Sequence, residues 1–167
     1  MNVDFIRTFY RFNRWANLRI LDKAALLTEN EYRAETNPSF GSVHDTLVHI
    51  MSVQWVWLNR WRGISLTGFD DPASYPTISS LRLRWDEINH ETQEFVLRQT
   101  EESLAEKLTY TNFRREKHGY PLWQMMVHQV NHATQHRSEI ALTLTQCHQS
   151  PGGMDFLVFV DSEGKTI

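Results

Sequence analysis

The sequence predicts an all-α fold, a four-helix bundle whose long second connection permits a crossover. Three observations predict it. Four segments place apolar residues at steps of three and four, the period of a helix. Ser, Thr or Pro stands where most of these segments begin, and Gly or Pro-Gly where the second and fourth end. No segment alternates convincingly as a strand; the one weak signal lies between the third and fourth helices.

The first helix is expected over residues 3–28, with Phe5, Phe9, Phe12, Ala16 and Ile20 as its apolar stripe. Arg7, Arg11, Arg14 and Arg19 fall mostly off that stripe, and Asn37-Pro38-Ser39-Phe40-Gly41 breaks the chain. The second helix starts at Ser42, where Ser42 and Asp45 resemble a capping box with Asp in place of Glu. Val43, Leu47, Ile50, Gln54, Trp57 or Leu58, and Trp61 form its apolar face, and Gly63 ends it. Residues 63–78 form a long loop. Thr77 to Ser80 supply caps for a third helix running to about Thr100, with Leu81, Trp85, Ile88, Thr92, Phe95 and Val96 inward. Glu101 and Glu102 open a polar connection, and Leu108 to Tyr120 carries the faint hairpin signal. Pro121 fits the first turn of a fourth helix, where its missing N–H costs nothing. That helix runs to about Cys147 and stops at Ser150-Pro151-Gly152-Gly153. Met154 to Val160 is an apolar tail, expected to pack on the bundle or on a partner subunit.

The 167 residues fit a single domain, expected over 1–167. Hydrophobic residues at 41% and charged residues at 22% are ordinary for a globular chain and argue against disorder. A formal charge of -3 with no Lys/Arg cluster argues against nucleic acid as a partner. No stretch approaches the ~18 apolar residues of a membrane span. The N-terminus lacks the apolar core of a signal peptide, and one cysteine, Cys147, excludes an internal disulfide framework. A cytoplasmic location is therefore expected.

The fourth helix holds the chemistry. His132 and His136 stand four residues apart, slightly more than one turn, so both imidazoles project from one face. Two convergent imidazoles make a bidentate site for a transition metal. At ~100° per residue, His136 sits at the margin of the apolar sector formed by Leu122, Met126, Val130, Ala133, Ile140 and Leu144. His132 lies ~40° further round, beside Met125 and Glu139, and His128 faces outward. A third ligand belongs on a facing helix. The candidates are His44, His49, His90, the carboxylates and Cys147; His49 fits best, flanked by Val48 and Ile50. His44 is placed in an exposed first turn and His90 in a polar run.

Four stretches match a known pattern. Tyr10-Arg11-Phe12-Asn13-Arg14-Trp15-Ala16-Asn17 is similar to an opening helix, and Ser42 to Ile50 ends on a first histidine, His49. His132 to Ile140 reads as an HxxxHR segment, and His148 to Phe156 as a closing turn. On these residues the chain resembles the DinB/YfiT-like superfamily of metal-dependent enzymes. The resemblance implies a four-helix bundle, usually a homodimer, with a divalent metal on His49, His132 and His136. Glu139 stands where many members have Gln, placing an acid or base near the metal; Cys147 stands where Gly is frequent and reads as a helix-end packing residue.

Three neutral imidazoles leave a metal a net dication with open positions, whether Zn or Ni, the first choices, or Fe or Mn. Such an ion polarises substrates and acidifies a bound water or thiol. Relatives use low-molecular-weight thiols, so the resemblance implies a thiol-dependent S-transferase or related hydrolase acting on a small-molecule substrate. The alternatives are a non-catalytic metal-binding stress-response protein and, against the charge balance, a DNA-associated one. Glu139, Arg137 and Gln54 are candidates to support the ligands, with Arg137 read preferentially as a surface ion-pair residue. Trp55, Trp57 and Trp61 are pocket-wall candidates, at least two of them expected in the core or at an interface.

Overall fold

A computed structural model describes residues 2–36 and 39–163. The break expected at Asn37 and Pro38 lies outside the described residues. The elements in order are α1 (Val3–Ala24), α2 (Glu29–Arg33), α3 (Val43–Trp61), a 3₁₀ turn (Pro72–Ser74), α4 (Ile78–Leu97) and α5 (Glu101–Ala105). The strands β1 (Lys107–Thr111) and β2 (Lys117–Pro121) follow, then α6 (Leu122–Gln146) and α7 (Phe156–Glu163). The described chain is mostly helical with one two-stranded antiparallel sheet, in which Thr109 faces Gly119 and Tyr110 faces His118. The weak hairpin signal was real, and an entirely helical chain is corrected to that extent. None of the described helices is long and apolar enough to cross a membrane.

Three of the four long helices start on a capping side chain. Asn2 Oδ1 accepts from the Asp4 amide ahead of α1, Ser42 Oγ from Asp45 ahead of α3, and Thr77 Oγ1 from Ser80 ahead of α4. These bonds satisfy amides that a helix leaves unpaired. Pro121 precedes α6 and has no amide to satisfy. The capping box at Ser42 is half made: Asp45 Oδ1 bonds the His44 ring instead of the Ser42 amide. Gly63, at φ +82°, follows α3 in a conformation that disfavours any other residue.

The first helix is shorter than expected. It ends at Ala24, and Thr28 with Glu31 forms a reciprocal capping box that starts α2. Its buried face is also rotated. Ile6, Tyr10, Asn13, Ala16, Asn17 and Ile20 point inward, whereas Phe5 is 43% exposed and Phe9 only half-buried. Phe9 leans toward Phe156, and Phe159 of α7 packs on Phe12 and Trp15, so the apolar tail covers α1. The sequence stripe was right at Phe12, Ala16 and Ile20 and missed Asn13 and Asn17, because they are polar.

Helix α6 packs against α1 and α3, and α4 packs against the same two helices from the other side. The hairpin lies beside α3 and α6 at the start of the latter. Two apolar clusters fill the interior. One surrounds Tyr10, Trp61, Met126 and Val130; the other surrounds Leu47, Ile50, Trp85, Ala133 and Ile140. His49 and His132 stand at the margin of this core, on the facing sides of α3 and α6.

Candidate metal centre

His49 projects from the second turn of α3, and His132 and His136 from successive turns of α6. One ring nitrogen from each lies within 4.8 Å of the others. His49 Nε2 and His132 Nε2 face each other at 3.3 Å. Two imidazoles bound to one tetrahedral ion at ~2.0–2.1 Å have donor atoms about 3.3–3.4 Å apart. That edge therefore already has the separation a metal requires. The rings of His132 and His136 lie 4.5 Å apart, and His49 stands perpendicular to His136 at 5.0 Å.

The electrostatics oppose protons here. Burial, then the neighbouring His132 and His136, push His49 down to about 3. Burial, then His136 and His128, push His132 down to about 4. Neutral imidazoles present lone pairs, the form that binds a cation. His136 is 6% exposed and its Nδ1 lies 2.9 Å from Glu139 Oε2. With Nδ1–H donating to the carboxylate, Nε2 carries the lone pair, the usual support of a ligating histidine. Ser39 Oγ donates to Glu139 Oε1 at 3.0 Å. His132 lacks such support: its Nδ1 is buried with no hydrogen-bond partner. The donor set fits a divalent metal.

Aromatic side chains form a collar that sequence reasoning missed. Phe40 stacks on His49 at 3.8 Å and meets His136 edge-on at 5.1 Å. Phe69 meets His49 edge-on at 5.2 Å and touches Phe113. Both Phe40 and Phe69 sit in loops with no periodicity to read, so only their lone aromatic character among turn residues marked them.

The other candidates go elsewhere. His44 is 2% exposed, against the expectation of an exposed turn. Its ring nitrogens meet Asp45 Oδ1 and the Tyr75 carbonyl, and Tyr32 packs edge-on against it. The loop holding Tyr75 folds back over the start of α3, which the sequence did not show. His90 is exposed and pairs with Glu94. His128 is exposed on α6, as its position on the wheel implied. Cys147 is the half-buried C-cap of α6, and the single metal-capable cluster among the described residues excludes it.

Two supporting candidates are corrected. Arg137 is no surface ion pair: it is 2% exposed, and its Nη1 donates to Asn13 Oδ1 and Asn17 Oδ1 at 2.6 and 2.7 Å. Its Nη2 donates to Thr134 Oγ1. Burial pulls the guanidinium down to about 9, which still leaves it charged at neutral pH. Gln54 turns to α4 instead, bonding Asn89, Thr92 and the Trp85 indole in a buried polar network. Of the tryptophans, Trp61 packs on Tyr10 and Phe95 in the core, Trp55 lies under Arg84, and Trp57 borders a cavity.

The family model described as the DinB family matches residues 1–166. The chain is similar to Protein DinB of Bacillus subtilis (strain 168), 24% identical over 166 residues covering 94% of each chain.

Proposed function

Since the chain belongs to the DinB family, we propose that it is a metal-dependent enzyme with a divalent ion held by His49, His132 and His136. The observation that carries this reading is the convergence of three ring nitrogens from two helices within 4.8 Å. The reaction class follows from the resemblance: transfer to a low-molecular-weight thiol, or a related hydrolysis, on a small molecule. A bound divalent ion, Zn or Ni first and Fe or Mn next, would supply Lewis acidity and favour a thiolate or hydroxide near neutral pH.

The protein's own groups have separate tasks. Glu139 orients His136 and, once Ser39 or His136 releases an oxygen, serves as the general base. Phe40 and Phe69 keep water from one side of His49. Arg137 ties α6 to α1 beside His136 and holds the helix in register. We read the four long helices as a four-helix bundle with the α3–α4 loop as its crossover. The homodimer implied by the resemblance finds an apolar face on α7, where Leu157, Val158 and Val160 are exposed.

A second reading is a non-catalytic metal-binding stress-response protein. It is favoured by Phe40, whose ring lies flat on His49 and narrows the approach. Metal analysis of the purified protein, then a thiol-transfer and hydrolysis screen, separates the two. The enzyme reading expects about one ion per chain and turnover that His49→Ala and His136→Ala abolish. Metal without turnover across a broad panel favours the second reading, and failure to retain metal after loading rejects both.

A further inference from the structure

A second group of side chains gathers one helical turn from the histidines. Trp57, Tyr110, Tyr120, Gln124, Met125 and His128 line a cavity of about 350 Å³. That volume lies at the small end of the ~300–1,000 Å³ of small-molecule sites. The two helices that carry the histidines also carry the cavity: Trp57 lies two turns beyond His49, and His128 one turn before His132. The hairpin contributes Tyr110 and Tyr120. Trp57 meets both Tyr110 and His128 edge-on at 5.2 Å, and the His128 ring lies 6.3 Å from that of His132.

We propose that this cavity is a substrate subsite for a neutral or anionic aromatic ring whose short arm reaches the histidine cluster. Three aromatic walls select a planar ring, which they grip through offset and edge contacts that an aliphatic group of equal size does not return. The Met125 thioether adds a soft surface that favours the same partner. Gln124 and His128 are exposed and supply the polar contacts that orient a substituent. The lining contains no carboxylate, so a cationic ring finds no counter-charge. The nearby cation has the opposite preference: Arg60 Cζ lies 4.8 Å from the Trp57 centroid and 4.4 Å from that of Tyr110. Four residues of helix, a rise of about 6 Å, separate His128 from His132, which sets the length of the arm. That the arm ends at a metal rests on the reading proposed above; that the cavity takes an aromatic ring does not.

The test titrates the full chain, metal-free and zinc-loaded, with 2-phenylethanol, 3-phenylpropionate, 2-phenylethylamine and 2-cyclohexylethanol, using calorimetry and ligand-detected NMR. In both preparations the first two are expected to bind about three- to tenfold tighter than the last two. Gln124→Trp, which fills the cavity from an exposed position, and Tyr120→Ala, which removes a 43% exposed wall, are expected to weaken 2-phenylethanol about tenfold with unchanged melting temperatures. Equal affinity for the phenyl and cyclohexyl alcohols, or wild-type affinity in folded Gln124→Trp, overturns the subsite. Zinc is expected to tighten 2-phenylethanethiol about tenfold and leave 2-phenylethanol unchanged. No gain for the thiol in protein shown to hold zinc overturns the arm. A chain that holds no zinc but keeps the aromatic preference retains the subsite and loses the metalloenzyme reading, so the two failures are distinct.

Discussion

His136 Nδ1 lies 2.9 Å from Glu139 Oε2, and that one bond decides which nitrogen His136 can offer. Its two substitutions separate orientation from proton transfer. Glu139→Ala is expected to weaken metal binding about 10–100-fold, the usual effect of losing such support. Glu139→Gln keeps an acceptor for Nδ1, so it is expected to hold metal nearly as well and to lose turnover, as measured by metal competition and initial rates. Full activity in Glu139→Gln would remove the carboxylate from proton transfer and leave it only orientation.

The same residues set a pH response in the metal-free protein. His49 at about 3 and His132 at about 4 stay neutral in the fold, whereas the unfolded chain takes protons near 6.5. Between about pH 6.5 and 3 the unfolded state therefore binds more protons. The stability these groups contribute is full above pH 6.5 and falls as pH drops through that window. Thermal melts of metal-free protein are expected to show a lower melting temperature at pH 5 than at pH 7.5, with a shallower decline in His49→Ala. A variant that declines as steeply as wild type would contradict the assignment.

Among the elements, α6 carries both the site and its attachment to the rest of the fold. Arg137 is buried next to His136 and donates to Asn13 and Asn17 on α1. Arg137→Ala leaves both amide oxygens without that donor, a loss of about 3 kcal/mol. For a chain of this length that is roughly 6–12 °C in melting temperature, measurable by calorimetry. Helix α3 depends on Ser42, whose hydroxyl satisfies the Asp45 amide. Ser42→Ala is expected to cost about 1 kcal/mol and to lower the melting temperature by roughly 2–4 °C. Metal binding in that variant is expected to persist, because His49 lies a full turn and more beyond the cap.

For the whole molecule, a metal on His49, His132 and His136 would join α3 to α6, so occupancy and stability are linked. An ion at a hundred times its dissociation constant adds about 2.7 kcal/mol. Chelation is then expected to lower the melting temperature by roughly 5–11 °C in wild type and not in His136→Ala. An equal shift in both would place the ion elsewhere.

Much of this was legible in one dimension. Helical period located α3, α4 and α6 within a few residues, because apolar spacing reports which face is buried wherever that face is apolar. The same reading held only in part on α1: Phe12, Ala16 and Ile20 are buried as expected, but Asn13 and Asn17 also face inward to meet a charged partner 120 or more residues away. It failed for His44, whose first-turn position seemed exposed until the Tyr75 segment covered it.

The sequence by itself determined helices α3, α4 and α6, the caps at Ser42 and Thr77 and the two histidines of α6, because all of these depend on neighbours within about one turn. It also singled out His49, by its apolar flanks and by resemblance. Only the tertiary structure brought His49 Nε2 to 3.3 Å from His132 Nε2, buried Arg137 and laid Phe40 over the cluster. Those outcomes depend on how separate helices and loops pack against one another, and local spacing holds no record of that packing.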